Sequence, residues 1–142
     1  MNDARLIVRA RVNNTEDECK VERAIKNVFP EIKLSIVEDT GGGRVMRGES
    51  RGFHGLSTFR ELLRRDRIRA AARSLMLSAT TEGSLVFNLN KQAAFAGRVS
   101  FASESESPLG PITVELECPD PVNAIGWLTQ SSSSRVAREA PS

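Results

Sequence analysis

Ala4-Arg5-Leu6-Ile7-Val8-Arg9-Ala10-Arg11-Val12 alternates in character from one residue to the next. Leu6, Val8, Ala10 and Val12 fall on one side and Arg5, Arg9 and Arg11 on the other, with Ile7 the exception. Successive side chains of a strand point to opposite faces, so the pattern predicts a half-buried antiparallel strand with one apolar and one charged face.

The next stretch changes period. Thr15 with Glu18 three residues on reads as a capping box. Val21, Ala24, Ile25 and Val28 form a helical stripe behind it, and Pro30 ends the helix. Lys33 to Val37 alternates again as a second strand. Gly41-Gly42-Gly43 through Gly52 reads as a mobile glycine- and arginine-rich loop within a long hairpin, since it holds almost nothing to bury. Ser57 is placed to cap one long helix running to about Leu77. Phe59, Leu62, Leu63 and Ala70 form one stripe on it and Ile68, Ala72 and Leu75 another, which implies burial on two sides, against the sheet and against a second body such as another copy of the chain.

Ser84 to Leu89 reads as a strand, and Asn90 as the cap of a helical turn at Lys91–Phe95. Val99–Phe101 and Ile112–Leu116 look like a further antiparallel pair joined through a polar turn at Ser103–Pro108. Asp120-Pro121 starts a last short helix that buries Val122, Ile125 and Trp127. The fold expected is α+β: a mostly antiparallel sheet with one long and two to three shorter helices. It occupies 1–129 as a single domain, and the Ser-rich stretch 130–142 is expected to be a disordered tail.

Composition narrows the function classes. With 39% hydrophobic and 27% charged residues in 142, the chain sits near globular norms. No apolar run approaches the ~20 residues of a membrane-spanning helix. Cys19 and Cys118 are 99 positions apart with no CxxC pair, so neither a disulfide framework nor a zinc site is expected, and no cofactor. Cytosol is the default compartment. The net charge is only +2, yet residues 44–73 carry nine arginines against Glu49, Glu61 and Asp66, a local net of +6. Such a patch attracts phosphate or an acidic partner.

No motif spells out a reaction. Asp39-Thr40-Gly41 matches the short aspartic-protease motif, but two more glycines and Arg44 follow it, and a hairpin tip accounts for it better. The glycine triplet lacks the GK[ST] of a phosphate loop. His54 is the only histidine and has nothing nearby with which to build a metal site or a triad. Arg60, Arg64 and Arg67 fall on one helical face at i, i+4, i+7. A planar guanidinium donates two parallel hydrogen bonds to phosphate, and the competing reading is a solvated face with ordinary surface pairs to Glu61 and Asp66. Aromatic content is 5% with no tyrosine, so stacking on unpaired bases is disfavoured and RNA contact would be to backbone and shape. Asn88, Asn90, Lys91 and Gln92 form a dense polar group, read first as strand termination and capping, second as a ligand or subunit contact.

Several elements occur together in order: Thr15-Glu16-Asp17 with Val21 and the helix end Ala24–Pro30, Leu63-Arg64 with Ile68 and Ala72-Arg73, Phe87-Asn88-Leu89-Asn90-Lys91-Gln92-Ala93-Ala94, Gly97, Pro108–Ile112 and Ile125-Gly126-Trp127-Leu128. This ordered set resembles an archaeal group, uncharacterised protein family 0201, over about residues 4–129. The Phe87–Ala94 run is its most specific part. Asn14 stands where that family usually has proline, and Asp66 where it has a longer polar residue. The resemblance implies a fold similar to the large-subunit ribosomal protein that binds 5S ribosomal RNA, a homodimer, and an archaeal cytosolic protein. Joined to the basic segment, it points to non-enzymatic contact with structured RNA through Arg44, Arg47, Arg60, Arg64 and Arg67. The rival reading is a homodimeric module that binds a protein partner, in which Asn88, Asn90, Lys91 and Gln92 serve the subunit contact or local structure.

Overall fold

The alternating stretch is strand β1 (Arg5–Val12), the third strand of a six-stranded antiparallel sheet. In spatial order the sheet runs β2 (Lys33–Glu38), β3 (Arg44–Arg51), β1, β6 (Ile112–Glu117), β5 (Ser84–Leu89) and the two-residue β4 (Thr80–Thr81). Among the described residues five α-helices accompany it: α1 (Glu18–Val28), α2 (Ser57–Arg65), α3 (Arg69–Ser78), α4 (Lys91–Phe95) and α5 (Pro121–Leu128). The computed structural model describes residues 4–102 and 110–130; the expected turn at 103–108 and the tail beyond Gln130 lie outside the described residues.

Leu6, Val8, Ala10 and Val12 all face one core, which also takes Val21, Ile25, Phe59, Leu63, Met76 and Ile125 from the helices. Ile7 points the other way and lies outside that core. Phe59 is at its centre, stacked on Phe87 at a 5.5 Å centroid distance and tilted against Phe29 at 5.6 Å. Burying each such ring contributes about 2 kcal/mol, which is why the Phe87 end of the polar run is anchored so firmly. No helix among the described residues is long and apolar enough to cross a membrane.

Several local expectations change. Asp17, not Thr15, caps α1: its Oδ1 accepts from the Cys19 N–H at 2.9 Å. Glu16, just before it, turns inward instead. The supposed glycine- and arginine-rich loop is mostly strand. Only Thr40-Gly41-Gly42 turns, with Gly42 at φ 83°, and Asp39 and Gly43 close the hairpin at 2.8 Å. This is a three-residue hairpin loop that ends in a left-handed residue, for which glycine is suited. Gly48 is then a strand residue whose missing side chain matters, because a Cβ there would sit 2.7 Å from Leu34 Cδ2.

The expected long helix is two helices. Arg67 lies at φ 59° between α2 and α3. Its N–H donates to Arg64 O at 3.2 Å and the Ile68 N–H to Leu63 O at 3.1 Å. That pair of bonds is a Schellman ending, with an arginine in the position glycine usually fills. The two stripes therefore belong to two helices: Phe59, Leu62 and Leu63 are buried on α2 and Ala72 on α3, whereas Ala70 and Leu75 are exposed and Met76, outside either expected stripe, is buried instead. They no longer argue for a second body. Nor does Ser57 cap α2 with its side chain.

Residues 99–101 pair with β5 rather than with β6. Phe101 bridges Leu89, and the Asn90 N–H donates to Ser100 O at 2.7 Å. At α5, Asp120 accepts from the Asn123 N–H at 3.1 Å and Ile125 is buried, but Val122 is 57% exposed and Trp127 only half-buried.

Candidate nucleic-acid interface

The break at Arg67 turns the chain through an elbow and presents its arginines there. Arg64 and Arg67 are exposed on either side of the turn. Arg64 pairs with Glu61, one turn back on α2. Asp66 holds the elbow in place: its Oδ1 accepts from Arg65 Nε at 2.9 Å and its Oδ2 from the Val99 N–H at 3.2 Å. The hydrogen bond from Arg65 keeps the Asp66 carboxyl below the usual range, against the opposing effect of partial burial, with the Val99 N–H adding to the lowering. Arg65 Nη2 also donates to Gly97 O at 2.7 Å. The elbow is thereby tied to a turn thirty-odd residues later, and that turn brings in the exposed Arg98. Between them runs an open groove of about 660 Å³ lined by Asp66, Ile68, Asn90, Gln92, Arg98 and Ser100. α3 starts beside it with no side-chain cap and no acidic residue in its first turn, a setting favourable to anions.

The remaining arginines of the expected set are dispersed. Arg60 joins α2 to α5: its Nε donates to Trp127 O at 2.9 Å and its guanidinium lies 5.2 Å from the Trp127 ring centroid. Arg44 pairs with Glu18 at the start of α1. Arg47 lies across from Arg9 and so belongs to the sheet face turned away from the helices. The structure thus brings Arg64 and Arg67 together with Arg65 and Arg98, and places Arg44, Arg47 and Arg60 elsewhere. Arg98 escaped the reading from sequence because nothing local marks it; the Arg65–Gly97 and Asp66–Val99 bonds on either side of it bring it to the elbow.

The polar run divides similarly. Asn90 caps α4, accepting from the Ala93 N–H at 2.8 Å, as expected. Asn88 Oδ1 accepts from Thr113 Oγ1 at 2.8 Å across β5 and β6. Lys91 is buried, and its Nζ donates to Arg11 O at 2.8 Å and to Glu16 Oε1 and Oε2 at 3.1 and 3.2 Å. Burial pushes the Glu16 carboxyl up, but hydrogen bonds from the Asn13 N–H and side chain, with those from Lys91, leave it below the usual range. Gln92 alone of the four is exposed, at the edge of the elbow groove.

The other candidates settle into supporting roles. Asp39 accepts from Arg11 Nη2 at 2.7 Å, which lowers its carboxyl, whereas a proton-sharing dyad needs one carboxyl raised. His54 Nε2 faces Glu31 Oε2 at 3.2 Å on the surface. Both cysteines are free; Cys19 is exposed and Cys118 buried, its thiol pushed up by that burial.

Fold and site together define an α+β protein with a helix layer on one sheet face and a basic elbow in that layer. A family model described as RNA binding matches residues 5–118. The chain is 39% identical to a UPF0201 protein of Sulfurisphaera tokodaii, with 93% of this chain and 91% of that one covered. It is 44% identical to a UPF0201 protein of Methanopyrus kandleri, with 88% and 84% covered. The crystal structure of a UPF0201 protein from Methanococcus jannaschii superposes with a TM-score of 0.79 at 33% identity, over 88% of this chain and 98% of that one. The chain belongs to the archaeal UPF0201 family.

Proposed function

We propose that this protein contacts structured RNA without transforming it, and that the elbow arginines Arg64, Arg65, Arg67 and Arg98 hold the phosphate backbone. The observation that carries the reading is their convergence at one exposed turn, in a chain matched by a family model described as RNA binding. Arginine forks suit phosphate oxygens, and each contact displaces condensed counterions. Large aromatic rings exposed at the surface are scarce: Phe95, on α4, is 40% exposed. Recognition by shape and backbone of a folded RNA follows, rather than base stacking. The reading includes a cytoplasmic homodimer, as the family resemblance implies.

Titration of a fluorescent structured RNA by anisotropy, at about 50 and 200 mM salt, tests it. Arg64→Gln/Arg67→Gln/Arg98→Gln removes low-salt binding if the elbow is the site; unchanged binding sinks the placement. Binding of every polyanion alike reduces the reading to nonspecific charge.

One observation favours a second reading, a module that docks a protein strand. β2 is an edge strand, and Ile36 and Val37 on it are 38% and 42% exposed. A single stoichiometric protein partner, released by Val37→Lys and indifferent to nuclease, identifies that case.

A further inference from the structure

The sheet face turned away from the helices carries a second concentration of cations. Cross-strand partners share a face, so the register puts Arg5, Arg9 and Arg11 of β1 beside Arg51 and Arg47 of β3, with Lys33 of β2 beyond. Against these six stand Glu49 on β3, Glu115 and Glu117 on β6 and Asp39 just after β2, a net of +2. The chain places no second layer here among the described residues, and Ile7 is buried only beneath these long side chains.

The ion pairs on this face are unequal. Arg5 is bound to Glu49 at 2.5 Å and to Glu117 at 3.2 Å, and Arg11 to Asp39 at 2.7 Å. Arg9 and Arg47 reach Glu115 and Glu49 only at 3.6 Å. Among the described residues Lys33 and Arg51 make no ion pair. Arg9 and Arg47 also stand directly opposite each other, as do Arg5 and Arg51. Like charges in that relation repel at a Cβ separation of about 5 Å, so this face gains from an anion placed between the strands.

We infer that the open sheet face is a second RNA-phosphate site, centred on Arg9, Arg47, Arg51 and Lys33, so that one chain grips two RNA segments, one on each side of its sheet. The inference rests on the proposed RNA contact and adds an activity to it: bridging of two helical segments. Arg47 and Arg9 stand side by side across β3 and β1, and Lys33 on β2 lies diagonally from Arg47, opposite Glu49, so that a phosphate backbone crossing the strands obliquely would meet all three. The elbow lies in the helix layer on the opposite side, so the two sites do not compete for one duplex.

The test is the stoichiometry of a short blunt RNA duplex per full-length chain, read by light scattering at low salt, which is independent of how many chains associate. Two duplexes per wild-type chain are expected. One is expected for Lys33→Gln/Arg9→Gln/Arg47→Gln, one for Arg64→Gln/Arg67→Gln/Arg98→Gln, and none for the combination. A wild-type chain saturating at one duplex, or a sheet-face variant still taking two, overturns the inference while leaving the elbow reading standing. A sheet-face variant that changes the mass of the RNA-free protein with no change in duplexes per chain also overturns it, and marks the face as a protein contact. No duplex on any chain removes both readings. Crosslinking of wild-type protein to a thiouridine-bearing duplex needs no variant: adducts on 5–12 and 44–51 as well as on the elbow are expected, and adducts on the elbow alone refute the second site.

Discussion

The Lys91–Glu16 pair and the Arg64–Arg67 elbow use charge in opposite ways. Lys91 is 6% exposed and surrounded by acceptors, and it fastens α4 to the end of β1 and the loop before α1. The elbow arginines stand in water, and those that are paired meet carboxylates of their own helix end. A buried pair is costly to break because the surviving charge has no water to return to, whereas an exposed guanidinium can be removed with little effect on stability. In sequence both regions look like polar stretches beside apolar ones. What separates them is depth.

The largest effect expected is on the buried side of this comparison. Lys91→Ala strands Glu16 and should lower unfolding stability by about 3–5 kcal/mol, read by urea denaturation. Loss of less than about 1 kcal/mol would put the pair among ordinary surface contacts. The pH dependence follows the same groups. The Glu16 and Asp66 carboxyls are held below their unfolded values, so their stabilisation is complete above about pH 4.3 and is lost as pH falls through the folded values. Acid should therefore destabilise the wild type more steeply than Glu16→Gln, which starts lower and has less to lose.

On the exposed side, Arg64→Gln/Arg67→Gln/Arg98→Gln should weaken RNA binding by about tenfold or more at 50 mM salt, with a logarithmic salt slope shallower by about 3. Its melting temperature should stay close to wild type. A large fall in melting temperature would break the contrast between the two regions.

Arg60 tests the boundary, since it lies in the helical arginine series but packs on Trp127. Arg60→Ala should cost about 1 kcal/mol through the lost carbonyl bond and ring contact, while changing RNA affinity by less than the elbow variants do. Smallest is Arg67→Gly, expected to raise stability by about 0.5–1 kcal/mol by relieving a left-handed arginine. If it also lowers RNA affinity, the strained arginine is retained for its charge; if affinity is unchanged, the phosphate contact belongs to its neighbours.

Periodicity alone determined much of this protein. β1 and its two faces, β2, β5, β6, the apolar stripe of α1, the Asn90 cap and the Asp120-Pro121 start of α5 could all be read from residues a few positions apart, because strand alternation, helical spacing and capping are local. The resemblance carried by Phe87–Ala94 and the other ordered elements pointed to the family. Tertiary structure decided the rest. Residues 44–51 become a strand only because β1 and β2 flank them and Gly48 lets β2 approach. The 57–77 segment breaks without glycine or proline, since Phe59 and Met76 must reach the same core from two directions, and Asp66 finds Val99 to hold the bend. Lys91 is buried by Glu16 and Arg98 is brought to the elbow through contacts between distant parts of the chain. Such contacts depend on which surfaces meet once the core has closed, and no window of neighbouring residues contains them.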